Sequence, residues 1–373
     1  MTMEKRIRSL TALILAGMVL ALAAGFMAGK KQTFSENENR YLAGFPHFTW
    51  ERAVSGAYME DWSSYLADQF PFRDFFVGAK TGMEYALGKR EINQVFFAGD
   101  GYLIEEYAAP VNTDRIAAAL HNFAEELESL QLEPRLMLVP TAYHVYREKL
   151  PAHVSWRDQM ETAQTLYDAS GMVPIDCSRA LLTCEEEGLY YKTDHHWTSR
   201  GAFQGYLKWC EANGMYLPAS QFHPVQVSDS FQGSLDSRVL EAEGSRDSIE
   251  LFTREQEPSY TVSYNFGREI SDSVYAPENL KKKDQYQIFL NGNHPEVTIE
   301  TSNKNGKRLL IVKDSFANTL VPFLIGDCES IHLIDLRYYR GSLEDYISQR
   351  EINEFLILYN LKNFCGEKNL KFY

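Results

Sequence analysis

Cysteine is sparse in this chain. Among 373 residues there are five, Cys177, Cys184, Cys210, Cys328 and Cys365, and no two form a Cys-x-x-Cys pair. That scatter argues against a disulfide scaffold and against a structural zinc site. An exported chain has room for one bridge, with Cys177 and Cys184 nearest in sequence. Positive charge is also short: 37 basic residues face 51 acidic ones, a formal net charge of -14. Phosphate backbones need a basic face, so no nucleic-acid partner is expected. Lys281-Lys282-Lys283 reads as a solvated loop. Asp-x-Asp patterns, internal repeats and low-complexity tracts are missing.

What is present fits a folded, exported protein. Hydrophobic residues make up 45% and aromatic ones 13%, a globular balance. Lys5, Arg6 and Arg8 precede an uncharged run from Ser9 to Gly29, and Lys30 and Lys31 follow it. A membrane span takes about 20 such residues, and leading positive charge favours a cytoplasmic start. Residues 1–31 are therefore expected to be an uncleaved single-pass anchor at the cell membrane. The small residues from Ala21 to Gly29 leave a cleaved, secreted form open. Either way, residues 32–373 are expected outside the cytoplasm.

Beyond the anchor, Phe34 to Arg40 is polar and reads as a linker or docking segment. Trp50 to Gly88 is aromatic and broadly helical, and Tyr58, Trp62, Tyr65, Leu66 and Phe70 at helical spacing are expected to pack in a core. Val95 to Leu103 suggests two short strands around Gly99-Asp100-Gly101. From Asp114, the recurrence of Ile116, Leu120, Phe123 and Leu127 predicts an amphipathic helix, followed by a strand over Arg135–Pro140. A second helix (Arg157–Tyr167) leads to a strand over Met172–Asp176. Further strands are expected over Leu309–Val312, Ser330–Leu336 and Glu354–Tyr359. The alternation predicts an α/β fold with a doubly wound, mostly parallel sheet. Residues of about 218–291 break the rhythm and are expected to form a small β-rich insertion.

Two stretches carry the chemistry. In Asp194-His195-His196-Trp197, residues two apart share a side of an extended backbone, so Asp194 and His196 can pair while His195 points away. In Lys313-Asp314-Ser315-Phe316, an apolar strand ends at a serine before a helix-compatible run from Ala317 to Leu324. A serine needs a base and the base an orienting carboxylate, so Ser315, His196 and Asp194 are the candidate triad. The Ser315 backbone N–H is a candidate oxyanion donor. Gly292, Asn293, His195 and Tyr143 are weaker candidates for oxyanion or substrate contacts. Asp194, His195 and His196 are also possible metal ligands, but further carboxylates at fixed spacing are missing; no metal and no cofactor are expected.

Asp194-His195-His196-Trp197, with Ser35-Glu36-Asn37-Glu38-Asn39-Arg40 upstream and Lys313-Asp314-Ser315-Phe316-Ala317-Asn318 downstream, resembles the bacterial DHHW proteins. These are similar in turn to the alginate O-acetylation proteins of the SGNH-hydrolase-like superfamily. The resemblance implies an SGNH-hydrolase-like fold and a triad of Asp194, His196 and Ser315. It further implies O-acetyl transfer to, or removal from, a cell-envelope polysaccharide. A membrane-bound O-acyltransferase is the implied acyl source. A non-catalytic envelope protein that binds glycan or aids assembly on the same fold is the alternative.

Overall fold

A computed structural model describes residues 3–215, 221–240 and 244–367. The chain divides into two compact units. One comprises Met1–Lys89 with Ser237–Ala242, and the other Arg90–Asp236 with Glu243–Tyr373.

The first unit is helical: α1 (Met3–Ala28), α2 (Trp50–Ser55), α3 (Ala57–Asp68) and α4 (Arg73–Ala86). Lys5–Ala28 of α1 is long and apolar enough to cross a membrane. The polar segment after α1 is more than a linker. Arg40 grips Asp68 through two hydrogen bonds of 2.5 and 3.0 Å and donates to Glu38 at 2.5 Å. Arg73 pairs with Glu38, and Asn37 donates to Asp74 at 2.5 Å. Bidentate guanidinium–carboxylate pairs fix geometry as well as charge. The helical spacing is realised for Tyr58, Trp62, Tyr65 and Leu66 in α3, with Phe70 beyond its end, but the core expected from it is small. Tyr65 is buried, Tyr58 and Trp62 are half-buried, and Leu66 and Phe70 are exposed.

The second unit holds an eight-stranded mixed sheet. In chain order its strands are β1 (Pro134–Val139), β2 (Val173–Pro174), β3 (Tyr260–Tyr264), β4 (Glu269–Ser271), β5 (Glu296–Thr301), β6 (Arg308–Lys313), β7 (Ser330–Ile334) and β8 (Glu354–Asn360); in space the order is β4-β3-β5-β7-β6-β8-β1-β2. From β7 to β2 neighbours are parallel, while β5, β3 and β4 add on antiparallel. The central strands β6, β7 and β8 are buried almost throughout, as strands covered on both faces must be, which is why they read as largely apolar runs, broken in β7 by the buried His332. Their side chains share one core with those of α5 (Thr113–Ser129), α6 (Gln159–Ser170), α7 (Ser199–Ala212) and α8 (Ala317–Leu324).

The stretch expected as an insertion divides in two. Tyr260–Tyr264 and Glu269–Ser271 extend the main sheet, whereas Phe222–Phe231 and Asp247–Arg254 form a separate antiparallel ribbon. All five cysteines are free, and Ser178–Thr183 between Cys177 and Cys184 is helical.

Candidate active site

Ser315 lies two residues past the carboxyl end of β6, in a turn that opens α8. Functional groups gather at such strand ends because the next helix starts there, with its N–H groups free to point at a ligand. Asp314 fixes this turn. Its Oδ1 accepts the Phe316 N–H at 2.9 Å, and its Oδ2 accepts from Asn360 N–H, Asn360 Nδ2 and Asn363 Nδ2 at 3.1, 3.0 and 2.9 Å. The serine is thereby tied to the end of the neighbouring strand β8.

The histidine comes from the loop before α7, which is closed on itself. Tyr190 and Trp197 form an antiparallel bridge, and the Thr198 N–H donates to the Leu189 carbonyl at 2.9 Å. Thr198 then caps α7, its hydroxyl accepting the Gly201 N–H at 3.4 Å. Asp247, on the ribbon, accepts the N–H groups of Lys192 and Thr193 at 2.7 and 2.8 Å and the Thr193 hydroxyl at 2.6 Å. Trp197 Nε1 donates to the Phe316 carbonyl at 2.9 Å, joining the histidine loop to the serine turn.

The two stretches, 119 residues apart, meet at their side chains: His196 Nε2 lies 2.7 Å from Ser315 Oγ. His196 Nδ1 lies 2.5 Å from Asp194 Oδ1. The other carboxylate oxygen, Oδ2, accepts the Ser234 N–H at 2.7 Å. Residues 194–196 bend rather than extend, because Asp194 Oδ1 also captures the His196 backbone N–H at 3.0 Å. The expectation for His195 therefore fails. Its ring lies against that of His196, centroids 3.8 Å apart, and its Nδ1 is 2.7 Å from the Ser234 hydroxyl. Tyr286 stacks on the other face of His196 at 3.7 Å and 8°, and its hydroxyl donates to the Ser315 carbonyl at 2.9 Å.

Electrostatics separate the roles. Burial, and then the neighbouring His195, push His196 down to about 4, against the pull of Asp194. Burial alone would raise the Asp194 carboxyl. The adjacent His196 and His195 outweigh it, with the hydrogen bonds from His196 and Ser234, and hold it well below the usual carboxylate range. An ionised carboxylate behind a neutral imidazole, whose free nitrogen faces a hydroxyl, is a base ready to take that hydroxyl's proton. The potential ligand atoms of Asp194, His195 and His196 lie within 4.8 Å of one another. Both carboxylate oxygens of Asp194, both ring nitrogens of His196 and Nδ1 of His195 already have protein partners.

The weaker candidates land differently. The Gly292 N–H is committed to the Phe289 carbonyl at 3.2 Å, so it is not the donor expected for an oxyanion. Asn293 Oδ1 accepts from Lys313 Nζ and Asn318 Nδ2, each at 3.3 Å, and the Asn318 N–H donates to the Ser315 carbonyl at 3.2 Å. Asn293 thus supports the serine turn through Asn318. The Tyr143 hydroxyl accepts the Arg157 N–H at 3.2 Å and donates to the Ser155 carbonyl at 3.4 Å, which anchors it in the loop after β1 rather than at Ser315.

Sequence reading missed Gly233, Ser234, Asp247 and Tyr286. Gly233 leaves no room for a side chain: a Cβ there would lie 2.3 Å from the Asp194 Cβ and 2.4 Å from its Oδ2. A glycine followed by a serine in a polar loop carries no local signal of that closeness.

Residues 95–248 match the family model described as the SGNH hydrolase-like domain of the acetyltransferase AlgX. The match takes in Asp194 and His196 and ends before Ser315. No curated protein matches the chain. Among solved structures, a DHHW family protein from Eubacterium siraeum is 24% identical, with a TM-score of 0.65 over 75% of this chain and 94% of its own. PatB1 of Bacillus cereus, solved with a sulfonyl adduct, is 22% identical, with a TM-score of 0.63 over 74% of this chain and 97% of its own. The chain thus carries an SGNH hydrolase-like fold, similar to the DHHW family protein over most of its length and to the acetyltransferase AlgX over residues 95–248.

Proposed function

We propose that this protein is an O-acetyltransferase, or an acetylesterase, acting on a cell-envelope polysaccharide. Residues 1–31 anchor it and residues 32–373 work outside the cytoplasm. The observation that carries this reading is the hydrogen-bonded line from Ser315 Oγ through His196 to Asp194, at 2.7 and 2.5 Å. The match to the AlgX acetyltransferase domain supports acetyl as the group transferred, and the resemblance to the alginate O-acetylation proteins motivates a polysaccharide acceptor.

Ser315 Oγ attacks the carbonyl carbon of an acetyl donor while His196 Nε2 takes its proton. Asp194 holds the imidazole by Nδ1 and stabilises the imidazolium that forms. The negative charge on the former carbonyl oxygen meets the N–H of Ser315 at the start of α8. As the tetrahedral species collapses, the bond to the leaving oxygen breaks and His196 returns the proton to that oxygen. Acetyl-Ser315 remains. A sugar hydroxyl then gives its proton to His196 and attacks the acyl carbon, and Ser315 leaves with the proton. Water in place of the sugar gives hydrolysis. A membrane-bound O-acyltransferase is the expected acyl source.

The test is turnover of a chromogenic acetyl ester by the full chain, with and without an envelope oligosaccharide acceptor. Acceptor-dependent acetylation, lost in Ser315→Ala, supports the reading. A wild-type protein inert on every acetyl ester would point instead to glycan binding without catalysis.

A further inference from the structure

Helix α4 turns an apolar face outward. Phe72, just before it, and Phe75 and Met83 within it are 76%, 70% and 62% exposed, and Leu87 just beyond it is 82% exposed. Phe76 and Ala79 are exposed as well. Counted along the helix, Phe75, Ala79, Met83 and Leu87 recur every four residues, one continuous stripe over its whole length. Stripes of this kind normally face a core. Here the stripe is bare, and exposed apolar residues in a continuous row, unlike single scattered ones, mark an interaction or membrane surface.

The start of α4 lies at the end of α1. A methyl on Gly25 would meet Pro71 Cγ at 3.5 Å, ordinary contact distance, so the last turns of α1 rest on the residues that lead into α4. Phe26 meets Tyr65 edge-on at 5.9 Å, and Gln69 and Gln32 exchange two hydrogen bonds of 3.1 and 2.8 Å. From Lys5 to Gly25 the helix rises roughly 30 Å, the thickness of a bilayer's hydrocarbon core. If the basic start of α1 sits at one interface, Gly25 and Pro71 sit at the other, and Phe72 and Phe75 at headgroup depth. Aromatic side chains favour that zone, and a helix with one apolar face lies flat in it.

We infer that α4 lies in the outer leaflet's interface, its Phe72–Leu87 stripe sunk into lipid, forming with α1 a two-helix membrane foot. The inference rests on α1 being a retained anchor. Lipid is the occupant because the stripe begins where α1 leaves the hydrocarbon, so the same solvent continues along it.

Full-length protein in phosphatidylcholine vesicles containing a diazirine-bearing acyl chain is photolysed, and adducts are mapped by mass spectrometry. Adducts are expected in both 5–28 and 70–87. The variant Phe75→Ser/Met83→Ser/Leu87→Ser should lose those in 70–87 and keep those in 5–28. These side chains are exposed, and an unchanged far-ultraviolet circular dichroism spectrum would show that the fold is kept. Adducts confined to 5–28 overturn the inference and leave the anchor standing. Adducts in neither segment overturn both. A photo-reactive side chain at position 75 that captures another membrane protein in native membranes, rather than lipid, also overturns it.

Discussion

Gly233 gives the sharpest test of how the site is held. An added Cβ would sit 2.3 Å from the Asp194 Cβ and 2.4 Å from Oδ2, where carbon contacts settle near 3.5–4.0 Å. One of the two must move by about 1 Å, and any shift at Asp194 drags the carboxylate away from its contacts with His196 and Ser234. A shift of that size costs roughly 10² in rate when it displaces a catalytic group, and losing the orienting carboxylate altogether costs about 10⁴. Gly233→Ala should therefore lower kcat for an acetyl ester by roughly 10² to 10⁴, with an overpacking penalty of about 1–3 kcal/mol. The second effect is separable, since a domain stable by about 5–15 kcal/mol stays folded through it. The assay is kcat on a chromogenic ester beside a thermal melt. Gly44→Ala, which meets nothing within 4 Å, serves as the control. Because the methyl acts through Asp194, Gly233→Ala should add little in an Asp194→Asn background. Wild-type kcat in Gly233→Ala, or full additivity with Asp194→Asn, would refute this account.

Ser315→Ala and His196→Ala should each lower turnover by about 10³ to 10⁶, and the double variant should be scarcely worse, because triad members act as one unit; little loss at His196 beside collapse at His195 would reverse the assignment. With His196 pushed down to about 4, kcat/KM should be flat through neutral pH and fall only as pH drops through that value, and His195→Ala should move the limb upward. A limb at the ordinary 6.5, unmoved by His195→Ala, would contradict the electrostatics. The same depression links to stability: below 6.5 the unfolded chain binds a proton that the folded site refuses until about 4, so the contribution is full above 6.5 and lost as pH falls through that window. Asp314→Asn should lower the melting temperature, losing about 1–3 kcal/mol as an amide NH₂ meets the donors of Asn360 and Asn363, yet leave the acid limb in place.

Much of this was legible because it is local. The helix over Thr113–Ser129 follows from four apolar residues at helical spacing, and β6, β7 and β8 from apolar runs that only a doubly covered sheet would bury. Asp194, His196 and Ser315 stand out because the chemistry requires those types at strand and helix ends. What escaped notice depends on distant partners. Tyr260–Tyr264 looks like part of an insertion until Glu296–Thr301 is seen to pair with it. Tyr286 reads as an ordinary aromatic, and only the fold lays it on His196. Spacing gave the helical character of Trp50–Gly88 but neither its division into three helices nor its surroundings, since an apolar stripe predicts burial without naming what buries it.

Three buried aspartates surround the reaction centre, and sequence proximity ranks them wrongly. Asp314 adjoins the nucleophile, but its oxygens are filled by amide donors of Phe316, Asn360 and Asn363, and burial raises its carboxyl. Asp247 likewise receives the Lys192 and Thr193 N–H groups and the Thr193 hydroxyl, and burial raises it too. These two hold loops in place, a task for hydrogen-bond acceptors. Asp194 alone among them faces an imidazole, and its carboxyl is the one held low. Carboxyls pushed apart by their surroundings mark a division of labour. In the proposed mechanism the one kept ionised would stabilise the imidazolium, while the other two fix the turn and the loop that carry Ser315 and His196, which lie 2.7 Å apart.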